Sequence, residues 1–558
     1  MIRVAWLALV AVLAAACAPS GLHDFVRGYG RAETSALAAY DLDALARADR
    51  GAVLFALGDF GALDTDAMET HAVPWRLAGA ALVQAEHAAT GAPLSEQTLR
   101  TVMRRFGFLY PAAIGNWPRG AAAPELVGPL GLNTGMIRRR VPPVDLMAAN
   151  LGCASCHAGV TYDATGAPLP DLPWLGAPNT SLDLEAYVQA VYRAFDAAAA
   201  DPDALFAVIP HVFPDVTAAE ISTLRSFVWP RVTRRMAQIA AATPGKPLPF
   251  VNGAPGLTNG VAALKMQFAL LGPDAHAAER GFTAVPDLGD RGLRTSLLYD
   301  GAYAAATAGP DRPFTRADVT DAHLDGLAMI TAFFTVPSMG VHPDRVGDAL
   351  SDAQDVFRFL DAYAPPRFPG RVDAARAAEG RALYADRCAA CHGVYDDSLT
   401  APRLVSFPNV SGAVDADPAR AQAFTPALAG AVNASAYGDR IRARSTGRYA
   451  APPLTGVWMS APYLHNGSVP TLRHLLAPAT RPERFMLGGH RLDLDAVGVA
   501  GEVNGDGVYA YPAGYAPFSA PVLIDTRAPG LSNRGHEDTF EGLRPREREA
   551  LIAYLKLL

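Results

Sequence analysis

Five cysteines occur in 558 residues, and four of them stand in two copies of one pattern: Cys153-Ala-Ser-Cys156-His157 and Cys388-Ala-Ala-Cys391-His392. Two thiols three positions apart reach the two vinyl groups of one haem and form thioethers. The histidine that follows is then carried beneath the iron as its proximal ligand. A redox CxxC or a zinc-ligand pair is the alternative for either copy. The two copies use every cysteine beyond position 17, which favours attachment over accident. We therefore expect two covalently bound c-type haems, on Cys153 and Cys156 and on Cys388 and Cys391, with His157 and His392 as iron ligands.

What such haems do depends on the opposite face of each iron. Two protein ligands make an electron carrier, whereas an open face admits a small oxidant such as peroxide or oxygen. In the C-terminal half the candidates are His465, His474, His490, His536, Met459 and Met486. For His157 no convincing partner emerges. His211, His276, His323 and His342 lie in dissimilar contexts, and Met136, Met147 and Met266 in helical or apolar surroundings where core packing is the default. Phe333 and Phe334 either wall a pocket or belong to the core, and Trp458 is either an electron relay or packing.

Around the motifs the pattern is mainly α, with two c-type cytochrome haem domains, long loops and extra helices in the N-terminal half. Helical spacing of apolar residues predicts a helix over 372–386 leading into the second motif, and a terminal helix within 543–558 with Pro545 in its first turn. A helix entering CxxCH and a last helix packing on it resemble a class I cytochrome c domain, here 370–558. Its excess length, 394–534, reads as loop wrapped over the haem edge. Helices are also expected at 34–58, 74–90, 95–106, 183–200, 217–242 and 318–334 in the N-terminal haem domain, 18–365. Tyr363-Ala-Pro-Pro-Arg-Phe-Pro-Gly370 reads as a linker.

Val457-Trp-Met-Ser-Ala-Pro-Tyr-Leu-His-Asn-Gly-Ser-Val-Pro-Thr-Leu472 resembles a loop of the bacterial di-haem cytochrome c peroxidase superfamily. The segment Asp525-Thr-Arg-Ala-Pro-Gly-Leu-Ser-Asn-Arg-Gly-His-Glu537, just before the last helix, resembles the branch containing rubber oxygenase-like di-haem c-type cytochromes. Tyr363 to Pro369 and Gly176-Ala-Pro-Asn179 fit the same branch. The resemblance implies that His536 is the second axial ligand of the C-terminal haem, which is then low-spin and transfers electrons. A surface-loop role for His536 is the alternative, and Met459 is the runner-up ligand. Tyr463 is a further candidate, since a tyrosine fills this place in one relative; otherwise Tyr463 and His465 order the loop. The resemblance also implies an open N-terminal haem, hence a haem oxidoreductase of peroxidase-like or oxygenase-like type. The alternative is a non-catalytic periplasmic electron-transfer protein. Calcium is common between such domains, but Asp355, Asp361 and Asn252 are too scattered in sequence to propose a site.

Residues 1–17, MIRVAWLALVAVLAAAC, read as an export signal: a positive Arg3, a short apolar run, and small residues before Cys17. The run is too short to span a bilayer, which takes roughly 20 residues. Leu13-Ala-Ala-Ala-Cys17 resembles a bacterial lipobox, so Cys17 is the expected lipidation site, with a plain secretory signal as the alternative. Ala18 after it favours the outer membrane. The expected protein is periplasmic and touches the membrane by its lipid anchor only. A net charge of −7 argues against nucleic acid as a partner. The expected partners are a small redox donor or acceptor of cytochrome or cupredoxin type and the small oxidant. Half the residues are hydrophobic and 18% charged, which excludes a largely disordered chain.

Overall fold

A computed structural model describes residues 36–58, 60, 72–140, 143–246, 248–305, 312–338, 347 and 349–558. The export segment with Cys17, and His342, lie outside the described residues. Among the described residues no helix is long and apolar enough to cross a membrane.

The structure is mixed but mainly helical. Helix α1 (Arg47–Leu57) precedes α2 (Trp75–Thr90) and α3 (Glu96–Arg105). Polar caps start several helices where the sequence offers them: Ser95 accepts the Thr98 N–H at the head of α3. A long hairpin, β1 (Leu132–Arg140) and β2 (Pro143–Leu151), then leads into α4 (Cys153–His157), the turn that carries the first CxxCH motif. Met136 and Met147, expected in helical or apolar surroundings, are cross-strand partners in this hairpin. After β3 (Ala158–Tyr162) and β4 (Pro168–Leu175) come α5 (Leu184–Ala198) and α6 (Pro202–Val212), capped by Asp183 and Asp201. The helix expected at 217–242 runs continuously from Ala218 to Ala242 with a π-turn at Leu224–Val228 inside it, and its last segment is α7 (Trp229–Ala242).

Further on lie α8 (Asp321–Ser338), α9 (Leu350–Ala362), α10 (Ala374–Arg387), the turn α11 (Ala389–His392) within the second CxxCH motif and the last helix α12 (Pro545–Leu555). Two helix pairs cross at a glycine. At Gly380 of α10 an added Cβ would stand 1.9 Å from the Ala550 carbonyl oxygen of α12. At Gly51 of α1 it would stand 1.9 Å from the Asp355 carbonyl oxygen of α9. Only glycine permits either approach. The second crossing is also charged: Asp355 accepts Arg47 Nε at 2.8 Å and Arg50 Nε at 2.6 Å.

The stretches 18–365 and 370–558 interlock. Tyr303–Ala305 pairs antiparallel with Ile441–Ala443, and Phe314-Thr315 with Ser406-Phe407. Phe424, Leu428 and Val432 join Leu54, Leu327 and Phe333 in one core. The excess length of the C-terminal half, expected as loop, thus contributes short strands and part of the N-terminal core. The segment 363–370 is anchored rather than a free linker. Tyr363 donates to Asp287 at 2.8 Å, the Trp174 indole N–H to the Ala364 carbonyl at 3.0 Å, and the Trp458 indole N–H to the Pro366 carbonyl at 3.1 Å.

Candidate haem centres

Each CxxCH forms one helical turn that puts its two thiols and its histidine on neighbouring corners. The thiols are unpaired. Burial pushes Cys153 and Cys156 up to about 12 and Cys388 up to about 11. A dithiol redox site calls for the reverse shift, so the burial of these three thiols favours the thioether reading.

The histidines of both motifs, the candidate proximal ligands, are held in the same way. His392 Nδ1 donates to the Pro452 carbonyl at 2.8 Å, and His157 Nδ1 to the Pro286 carbonyl at 3.2 Å. A proton fixed on Nδ1 leaves Nε2 as the lone-pair nitrogen for a metal. Burial lowers both imidazoles, His157 to about 4 with the Arg291 charge adding to the effect. Both therefore stay neutral, as ligation requires. The two anchoring loops touch. Gly289 of the first faces the Thr455 side chain of the second, and Thr455 donates to the Asp290 carboxylate.

Opposite His392 stands His536, with ring centroids 6.3 Å apart and planes 27° from parallel. A metal–imidazole bond is about 2 Å and the ring centre lies about 1 Å further, so two imidazoles on one iron have centroids about 6 Å apart. The pair fits a single iron between the rings. His536 adopts a left-handed backbone, φ 64°, unusual for a residue with a side chain. Burial, followed by its neighbours His392 and Arg481, lowers it to about 4.

The loop carrying His536 is held by Arg481, whose side chain is 3% exposed. Nε donates to the His474 carbonyl at 3.3 Å. Nη1 donates to the Asn533 carbonyl at 2.6 Å and to Glu537 at 3.2 Å. Nη2 donates to the Leu475 carbonyl at 2.9 Å and the Gly535 carbonyl at 2.9 Å. All five guanidinium donors are thus engaged. Glu537 in turn accepts the Gly535 N–H at 2.8 Å. Sequence reasoning missed Arg481 because nearly all its partners are main-chain carbonyls.

The other candidates take structural places. Met459 and Trp458 are buried in the C-terminal core, Trp458 edge-on to Phe368 with centroids 5.6 Å apart. Tyr463 donates to the Val497 carbonyl at 3.3 Å. His465 stacks on Tyr449 and meets its hydroxyl at 3.0 Å. His490 Nε2 meets the Tyr162 hydroxyl at 3.1 Å, His474 Nδ1 the Thr471 hydroxyl at 2.8 Å, and His323 Nε2 the Gly292 carbonyl at 2.9 Å. Phe333 is core, edge-on to Tyr303. Among the described residues no imidazole faces His157 as His536 faces His392. Nor do they include a cluster of three or more acidic, histidine or cysteine side chains able to hold a metal ion. Asp355 is held by its two arginines, and Asn252 leans on Glu185.

Residues 377–458 match the cytochrome c family, and residues 447–486 match the family described as RoxA-like, cytochrome c-like. The C-terminal region is a c-type cytochrome domain related to the RoxA-like family. These matches imply covalently bound c-type haem in this region and point to haem-based oxidoreduction or electron transfer. Two Sinorhizobium fredii (strain NBRC 101917 / NGR234) proteins are similar to the chain. The protein y4iM is 34% identical over 204 residues, covering 33% of this chain and 45% of the relative. The protein y4iJ is 32% identical over 262 residues, covering 35% of this chain and 41% of the relative. The matches therefore span less than half the length of these curated relatives.

Proposed function

We propose that the chain is an exported di-haem c-type cytochrome acting as an oxidoreductase, with reaction at the His157 haem and electron transfer through the His392 haem. The observation that carries this reading is an asymmetry. His392 is faced by His536, whereas His157, anchored identically, is faced by no imidazole among the described residues. The second haem is supported by the repeated design: a glycine-crossed helix pair, a CxxCH turn and a proline carbonyl on the histidine occur in both halves. When bound, haem with one protein ligand supplies an iron coordination position to peroxide or oxygen, and haem with two supplies one-electron transfer.

The chain's own residues divide the work accordingly. The Pro286 and Pro452 carbonyls hold the proximal tautomers, and Arg481 keeps the His536 loop in place. Packing of the Cys153 turn against the Leu54 and Leu175 core keeps bulk water from that side. Peroxidase-like and oxygenase-like chemistry both fit this division. A small cytochrome or cupredoxin is the fitting electron partner, and lipidation at Cys17 would tether the protein on the periplasmic side of the outer membrane. Low-temperature electron paramagnetic resonance of the ferric protein, quantified per haem, tests the reading. One high-spin and one low-spin signal in equal amounts is the expected result. Two low-spin signals that persist after partial reduction would make the protein a non-catalytic electron carrier.

A further inference from the structure

Three buried arginines, Arg291, Arg294 and Arg420, surround Tyr299. Arg420 is neutralised by Asp300, itself 0% exposed, with Nη1 to Oδ2 at 2.6 Å and Nη2 to Oδ1 at 3.4 Å. The other two make no ion pair among the described residues. Arg291 gives Nη2 to the Asp287 carbonyl at 2.7 Å, and Arg294 gives Nη2 to the Leu298 carbonyl at 3.1 Å. The nearby carboxylates are otherwise engaged: Asp287 with the Gly289 N–H and the Tyr363 hydroxyl, Asp290 with Arg316 and Thr455. The Nε atoms of Arg291 and Arg294 are buried with no partner. Tyr299 lies within the field of all three guanidiniums, and the Arg291 charge reaches His157.

A buried cation without a counter-charge costs several kcal/mol, and guanidinium does not escape that cost by losing its proton. Asp287 and Asp300 act on these two cations from a distance but form no ion pair with either, so the guanidinium forks remain open to negative charge from outside the polypeptide. A haem carries two carboxylates on its propionate arms, and the planar guanidinium fork suits carboxylate. We propose that Arg291 and Arg294 bind the propionates of the His157 haem and, by their charge, raise its reduction potential. Arg291 is assigned to this haem because its carbonyl partner, Asp287, directly follows the Pro286 that holds His157. The inference rests on the di-haem reading above.

The experiment uses the full-length holoprotein. Haem counted per chain in the wild type comes first: one haem instead of two would overturn the di-haem reading itself. With two haems present, Arg291→Gln and Arg294→Gln are each expected to shift the one-electron equilibrium of the His157 haem at least tenfold toward the ferric form, which is 59 mV. Arg291→Lys and Arg294→Lys are expected to restore most of that shift. Unchanged potentials, or a shift confined to the His392 haem, would overturn the propionate assignment and leave the di-haem reading intact. Arg291→Met gives a second readout. It is expected to lower the melting temperature where a propionate sits against Arg291, and a rise would show an uncompensated cation instead. Should the glutamine variants not fold, infrared difference spectra of the lysine variants with carbon-13 propionate haem decide: a displaced propionate carboxylate band supports the assignment and an unmoved one refutes it.

Discussion

Arg481 holds the loop that carries His536, the proposed second ligand of the C-terminal haem, and its removal makes the sharpest test of the site. Arg481→Ala deletes five hydrogen bonds at once, four to main-chain carbonyls and one to Glu537. A typical hydrogen bond contributes about 1 kcal/mol net. Part of the loss is recovered as water reaches the freed carbonyls, which leaves about 3–4 kcal/mol. Against this stands the left-handed backbone of His536, a conformation costing about 1–2 kcal/mol that the native loop must hold. Once the guanidinium is gone, relief of that strain favours an open loop. At 1.36 kcal/mol per factor of ten, the closed loop loses two orders of magnitude or more relative to the open one. Electron paramagnetic resonance of the ferric variant should then show the low-spin His392 haem giving way to high-spin, with the spectrum sensitive to added imidazole. Arg481→Lys, which retains charge but not the five-donor fork, should fall between. A variant that keeps the full low-spin signal and melts within 1 °C of wild type would refute the argument that the guanidinium holds His536.

Four further outcomes are expected. His536→Ala should abolish the low-spin signal of the C-terminal haem while haem attachment at Cys388 and Cys391, read on denaturing gels by haem stain, is kept. Gly380→Ala should destabilise the protein by about 3 kcal/mol or more in denaturant titrations, because the methyl meets the Ala550 carbonyl in the backbone and not a movable side chain. Asp300→Ala leaves Arg420 buried without its partner and should cost about 3–5 kcal/mol, read as a loss in denaturation midpoint. Burial raises Asp287 to about 7 against an ordinary 3.8, so the folded state holds a proton that the unfolded state has lost. Stability from this group is therefore full below about pH 4 and falls as pH rises toward 7, and Asp287→Asn should flatten that slope in melting curves.

Much of the chain was legible where the signal is local. The helices at 75–90, 96–105, 184–198 and 374–387 follow from apolar spacing and from caps such as Ser95, Asp183 and Asp373 within three residues of what they cap. The two CxxCH motifs are plain in the sequence and each forms a short helical turn, and the structure sets the His536 ring 6.3 Å from that of His392. What was not legible depends on partners far along the chain. The hairpin 132–151 is fixed by cross-strand register, as between Met136 and Met147, and its apolar content suits a helix as well. Arg481 reads as a surface residue until the carbonyls of 474, 475, 533 and 535 converge on it. The segment 363–370 has a linker's composition, yet two indoles and a buried aspartate hold it in place. Arg291 and Arg294 give no sequence signal, because burial and not spacing sets them apart.

In the di-haem reading proposed here, the two halves share their means of holding a haem and differ in what lies across from the histidine. In each, a helix preceding the CxxCH turn crosses a later helix at a glycine, so close that one methyl would part them, and a proline carbonyl takes the Nδ1 proton. Such a scaffold fixes the attachment turn and proximal histidine regardless of the opposite face. That face is free to vary, and in the C-terminal half it is filled by a loop residue that needs a buried arginine to stay in place. The anchoring loops then meet at Gly289, Asp290, Thr455 and Gly456, where Gly456 allows the Asp287 carboxylate to approach the backbone. Each proximal histidine is thus one hydrogen bond from a loop, and the loops are in contact. In the proposed di-haem reading, a change of charge at one iron therefore acts on the other across these two touching loops. Coupling of the two potentials, seen as a shift in one haem's midpoint when the other is reduced, is the consequence that follows from this geometry rather than from either site alone.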